Sequence, residues 1–177
     1  AVGVGNLHFD VADASEYKFE PVFDLLFSRF GVMFFADPAA AFANLREALR
    51  SHGRLAFDCW RDVKENLWAS EPLDAARSLL PPQEPADPLA PGPFAFADDE
   101  RLKDILIKAG YRDIRIEKLD TTMYMGATMD EAVEQALRVG PVARATADID
   151  EATREKVREA IRGVMGRFVT PDGIVRT

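Results

Sequence analysis

Apolar and polar positions alternate in several short stretches of the chain and recur at helical spacing in several others. Between Asn6 and Val11 the residues Leu7, Phe9 and Val11 fall on one face, with His8 and Asp10 on the other, which predicts a half-buried strand. Phe23 to Phe27 is a nearly unbroken apolar run interrupted only by Asp24, the pattern of a strand covered on both faces. Asp37-Pro38 then supplies a capping acid and a proline suited to the first helical position. Phe42, Leu45 and Leu49 follow at spacings of three and four, with Arg46, Glu47 and Arg50 on the wet side. Gly53 is placed to end that helix in a left-handed conformation, and His52 in the same turn reads as structural. Leu55, Phe57 and Cys59 next alternate with Ala56, Asp58 and Trp60. Phe23 to Trp60 thus reads as strand, helix, strand, a unit that sets two parallel strands side by side with a crossover helix.

Beyond Trp60 the pattern changes. Asn66, Leu67 and Trp68, followed by Leu73 to Leu80, predict a short helix. Pro81, Pro82, Pro85, Pro88, Pro91 and Pro93 make six of the eleven prolines, so Pro81 to Pro93 is predicted to be a stiff, extended surface segment. Leu89, Phe94 and Phe96 predict that it lies down on the domain. Asp98 caps a second amphipathic helix through Leu102, Ile105, Leu106 and Ala109, stopped by Gly110. Asp113 to Leu119 alternates as a strand, and Thr121 to Met125 extends it or begins another. Thr128-Met129-Asp130-Glu131 is a capping box for a helix over Ala132 to Val139, which Gly140-Pro141 breaks. A further helix runs from Asp150 to about Met165 with Val157, Ile161 and Val164 inward, and Pro171-Asp172-Gly173 marks a turn.

Composition narrows the classes. With 47% hydrophobic and 29% charged residues the 177-residue chain has the make-up of one folded domain. A net charge of −8 argues against a phosphate-binding surface, so no nucleic-acid partner is expected. The apolar runs are too short for a membrane span, and no signal peptide is evident. One cysteine excludes an internal disulfide, and with His8 and His52 the only histidines no metal site is expected. A reducing, cytoplasmic setting is the expectation.

The candidate chemistry is sparse. Asp13 stands at the carboxyl end of the first predicted strand, where open α/β sheets bind ligands, but spacing alone favours its side chain capping the following turn. Ser28 and Arg29 either floor a crevice or satisfy loop backbone. Cys59 reads as a packed thiol, having no basic neighbour in sequence. There is no glycine-rich phosphate loop, since Gly3 and Gly5 precede a strand, and no nucleophile elbow or catalytic triad spacing. No residue identifies itself as a general base.

The run from Phe27 to Leu49, then His52 to Trp60, Asn66-Leu67-Trp68, and Ala90 to Ile114 resembles the bacterial class I S-adenosylmethionine-dependent methyltransferases, in particular their small-molecule, ubiquinone/menaquinone-type branch. The resemblance implies an α/β fold: a partial Rossmann-like sheet with flanking helices and a helical C-terminal region. It implies S-adenosylmethionine as cofactor and a small-molecule methyl acceptor, with methyl transfer governed by positioning of donor and acceptor. Asp13 and Ala14 match the family's acidic motif, whose carboxylate accepts from the adenine amino group. Ser28, Arg29 and Phe30 match the segment bordering the methionine end, and Trp60, Trp68, Phe94 and Phe96 fall in the region that roofs the acceptor. By this likeness the chain divides into a sheet core over 6–60, a roof over 61–97, a helix and strand over 98–126, and a helical region with the start of a last strand over 127–177. The family's glycine-rich turn, its first two strands and most of its closing strand have no counterpart in these residues. Weak or no cofactor binding and no activity are therefore expected of this fragment, with a non-catalytic interaction module as the alternative. An open edge on the Phe23 strand is expected to pair with the Asn6 strand or with a second chain.

Overall fold

The computed structural model describes residues 5–82, 87–172 and 175–177. Gly3, Pro85 and Gly173 lie outside them. The architecture is α/β, a short parallel sheet with helices, followed by a mostly helical half. Strand β1 (Phe23–Arg29) pairs in parallel with β2 (Leu49–Asp58), and helix α1 (Pro38–Glu47) makes the crossover. Asp37 caps α1 as predicted, its Oδ1 accepting from the Ala40 N–H at 3.0 Å.

The end of α1 differs from expectation. The helix stops at Glu47, Leu49 already pairs with Phe23, and the register then slips so that Arg54 pairs with Leu25. His52, not Gly53, takes the left-handed backbone, at φ 67°. Gly53 is needed for room: a Cβ there would meet the Phe23 and Arg50 carbonyl oxygens and the Leu49 Cβ, each at 3.0 Å.

Three further strand expectations are corrected. Asn6–Val11 pairs with no described strand and leaves Phe9 84% exposed. Its alternation had no hydrogen-bonded neighbour to fold against, because β1 pairs with β2 alone. Asp113–Leu119 likewise forms no strand with any described segment: Asp113 has φ 53° and Leu119 is exposed. Nor is β1 covered on both faces. Leu26, Leu55 and Phe57 pack toward α1 and α3, whereas Phe23, Leu25 and Phe27 on the other face are exposed.

The first core lies between that sheet, α1 and α3 (Asp99–Lys108), around Phe42, which meets Phe35, Phe57, Phe96 and Tyr111 ring to ring. Helix α3 has its predicted cap, Asp98 Oδ1 accepting from the Arg101 N–H at 3.0 Å. It ends in a paired-bond stop at Gly110, φ 88°: Tyr111 N–H donates to Leu106 O and Gly110 N–H to Ile107 O.

A second core joins α2 (Leu67–Ala76), α4 (Met129–Arg138), α5 (Pro141–Ala145) and α6 (Glu151–Met165) with a small antiparallel ladder of β3 (Tyr124–Gly126) and β4 (Val175–Arg176). Val157, Ile161 and Met165 line the buried face of α6, with Val164 half-buried beside them. In the capping box Thr128 Oγ1 accepts from the Glu131 N–H, while the Glu131 carboxylate accepts from Ala127 N–H, one residue earlier than the standard partner. The proline-rich segment is a series of turns over 88–96 instead of an extended stretch. Gly92 N–H donates to Met33 O at 3.0 Å, and Ala95 and Phe96 are buried, so the segment is pinned onto the first core as its aromatic residues predicted.

Candidate functional site

The parallel register brings the carboxyl ends of β1 and β2 together, the position where open α/β sheets take ligands. The ladder continues one step past the strands, with Phe30 N–H donating to Asp58 O at 3.1 Å. Phe30 itself has φ 60°, an uncommon backbone for a bulky side chain. The next residue is held by the strand behind it, Gly31 N–H donating to Ser28 Oγ at 3.3 Å. This loop turns the Phe30 ring onto Trp60, which lies just past β2. The two rings are parallel within 6° and 4.2 Å apart at their centroids.

The stack continues into the second half of the chain. Asn66 Nδ2 donates to the carbonyls of Arg61 and Asp62, fixing the start of α2 against the end of β2. One residue into α2, Trp68 stands 5.0 Å from Trp60, and Phe94 stands 6.3 Å from Trp68. The segment that carries Phe94 is secured by Arg101 Nη1 donating to Ala95 O at 2.6 Å. Trp60 packs against both cores. Three of the four predicted roof residues, Trp60, Trp68 and Phe94, therefore form one aromatic column with Phe30. Phe96 is apart from it, buried against Phe42 in the first core.

Two buried donors in this neighbourhood lack a hydrogen-bond partner among the described residues: Trp68 Nε1 and Arg61 Nη1. The rest of the Arg61 guanidinium is engaged, Nε with Glu65 and Nη2 with Asp120. Sequence reasoning missed Arg61, and its place directly after Trp60 at a strand end was the available signal. Cys59 is half-buried against the first core, and burial, with Asp58 adding to it, pushes its thiol up, away from a nucleophile's range.

Asp13 occupies an exposed turn tied to α1, where Asn44 Nδ2 donates to the Ala14 and Tyr17 carbonyls. Its Oδ1 accepts from the Ser15 hydroxyl at 2.6 Å and the Ser15 N–H at 2.9 Å. Those two bonds, the hydroxyl first, hold its carboxyl below the usual range. Capping its own turn is thus a role Asp13 fills in this structure. Ala14 and Phe30 both pack against the first core. Arg29 is exposed at the end of β1, opposite Asp58 in the ladder.

Residues 1–57 match the family model described as a methyltransferase domain. The match spans 57 of 177 residues and runs through β1, α1 and nearly all of β2. It contains Asp13, Ala14, Ser28, Arg29 and Phe30. The aromatic residues from Trp60 onward lie beyond it. No curated protein matches the chain.

The described residues fit S-adenosylmethionine only in part. They offer the Asp13 carboxylate, whose Oδ1 is already engaged by Ser15. The space beside Ser28 is filled by the Gly31 turn, where even a Cβ would come within 3.1 Å of Ser28 Oγ. No chemical step through the cofactor is derived from these residues. Among the described residues no cluster of three or more His, Cys, Asp or Glu could hold a metal ion, and no helix is long and apolar enough to cross a membrane.

Proposed function

We propose that this chain is part of an S-adenosylmethionine-dependent methyltransferase acting on a small molecule, of the ubiquinone/menaquinone-type branch. The observation that carries the reading is the match over residues 1–57, which ends where β2 delivers the chain to the aromatic column. When bound, the cofactor supplies the reactive methyl carbon. The chain's part is positional. Asp13 and Ala14 border the adenine, Ser28, Arg29 and Phe30 border the methionine end, and residues 61–97 roof the acceptor with Trp60, Trp68, Phe94 and Phe96. A cytoplasmic setting and the absence of a nucleic-acid partner belong to the same proposal, supported by one cysteine and a net charge of −8.

For the 177 residues alone the reading predicts weak cofactor binding and no turnover, so calorimetry with S-adenosylmethionine should show no micromolar association. The decisive assay uses the complete gene product with isotopically labelled S-adenosylmethionine and a panel of small phenols, quinones and amines. Label appearing in one of them supports the proposal, and none in any of them defeats it.

A second reading, a non-catalytic interaction module, is favoured by one observation: the exposed β1 face of Phe23, Leu25 and Phe27 next to a strand edge that no described strand pairs with. Such an edge pairs readily with another strand. We propose that two copies of the chain pair there. Sedimentation should show a dimer, and a single monomeric species at all concentrations would refute it.

A further inference from the structure

The sheet half and the helical half of the chain touch each other very little. All the extensive packing between described helices and strands lies within one half or within the other. Among the described residues Trp60 alone packs against both cores. Its place is set from the first half: it comes just after β2, and the Phe30 ring lies flat on it at 4.2 Å. Trp68 belongs to the second half, carried by α2 and seated over Gly140, where a Cβ would come within 2.7 Å of its ring. The contact between the two indoles is the looser one, 5.0 Å between centroids and tilted by 51°. Phe94 meets Trp68 across the same gap at 6.3 Å, from a segment that Gly92 and Ala95 tie to the first half.

Three connections cross between the halves, after β2, before α3 and before β3. Arg61 in the first and Asp120 in the last are joined by Arg61 Nη2 donating to Asp120 Oδ1 at 2.7 Å. Among the described residues this is the one ion pair between those two connections, and its Asp120 end is exposed. The same seam holds two buried donors with no partner among the described residues, Trp68 Nε1 and Arg61 Nη1. A buried donor without an acceptor costs free energy that water returns on exposure, so parting the indoles offsets some of the ring contact it loses. We propose that the two halves are hinged bodies that part between Trp60 and Trp68, with the Arg61–Asp120 pair as the latch that holds them together. Ring contact and latch are both weak, the latch because an exposed ion pair gains little in water. The open form is therefore a populated minor state. Salt screens the latch and moves the balance toward it. Neither state depends on which reaction the chain takes part in.

Trp60 and Trp68 are the two tryptophans of the chain, so its indole signals report on the seam directly. In the wild-type chain, added salt should weaken the exciton couplet of the two indoles in circular dichroism and speed acrylamide quenching of their fluorescence. Asp120→Asn changes an exposed side chain and keeps its size. It should raise the open-to-closed ratio about two- to fivefold, the worth of an exposed ion pair, and remove most of the salt response. A distance reading separates hinge motion from local fraying. In a Cys59→Ala background, spin labels at Lys103→Cys on α3 and Lys156→Cys on α6 stand at exposed positions, one in each half. Their distances should fall into two populations, the longer growing with salt and in Asp120→Asn.

A single distance that neither salt nor Asp120→Asn changes would overturn the proposal. So would a couplet lost only together with the helical amide signal, since the seam would then open by unfolding alone. An Asp120→Asn chain that keeps the full salt response would remove Arg61–Asp120 as the latch, and the proposal with it.

Discussion

Gly140 offers the sharpest test of how the second core holds the aromatic column. It links α4 to α5 with φ 88° and ψ −159°, a region open in practice to glycine alone. A Cβ built there would sit 2.7 Å from Trp68 Cζ3 and 3.3 Å from its Cη2. Gly140→Ala therefore carries two costs. The backbone conformation costs about 1–3 kcal/mol. Forcing a methyl against a packed indole costs about 1–3 kcal/mol more, because Trp68 has Trp60 and Phe94 for neighbours and little freedom to move. Gly110→Ala is the control. It shares φ 88°, but its Cβ would meet only the mobile end of Arg46, at 3.3 Å, so about 1–2 kcal/mol is expected. The two costs at Gly140 separate in a double-mutant cycle with Trp68→Leu, which removes the ring carbons but leaves the backbone conformation. A coupling of about 1–3 kcal/mol is expected from urea unfolding followed by far-ultraviolet circular dichroism. If Gly140→Ala costs the same in both backgrounds, the indole is not what glycine makes room for, and the reasoning fails.

Three further outcomes follow from the first core. Phe42→Ala removes a fully buried ring that meets four others, and thermal or urea unfolding should register a loss of about 3–5 kcal/mol. Tyr111 has its phenol pushed up to about 12 by burial, against a smaller opposing effect of Arg46. The unfolded chain ionises first, near pH 10, so the contribution of Tyr111 to stability is complete below about pH 10 and is lost as pH rises toward 12; Tyr111→Phe should remove that part of the alkaline loss, and ultraviolet difference absorbance should show one phenol titrating late. Cys59, with its thiol pushed up by burial, should react with a disulfide reagent more slowly than a free thiol at mildly alkaline pH, and at the free-thiol rate once urea unfolds the chain.

Local signals in the sequence were read correctly wherever a side chain within four residues settles the matter. The caps at Asp37, Asp98, Thr128 and Asp150 all accept from the N–H three residues on. The break at Gly140-Pro141 and the stop at Gly110 are equally local. What failed depended on partners distant in the chain. Alternation made strands of Asn6–Val11 and Asp113–Leu119, yet a strand exists only where another backbone meets it, and no described segment does. The same reasoning explains Gly53. Its spacing suggested a helix stop, but α1 has already ended at Glu47, and the Phe23 carbonyl that excludes a side chain arrives from another element.

The candidate site divides along the same line. Phe30 and Trp60 could each be named from their positions at strand ends, but not that they stack, since that depends on a parallel register formed across a helix of ten residues. The register also decides what kind of site this is. Trp60 is half-buried against both cores, so the column of Phe30, Trp60, Trp68 and Phe94 is the seam between the sheet half and the helical half. Ligand sites favour such seams, because the groups that line them come from units whose packing does not depend on the ligand. At this seam the first half supplies a ring on a strained loop and the second supplies a buried N–H without an acceptor among the described residues.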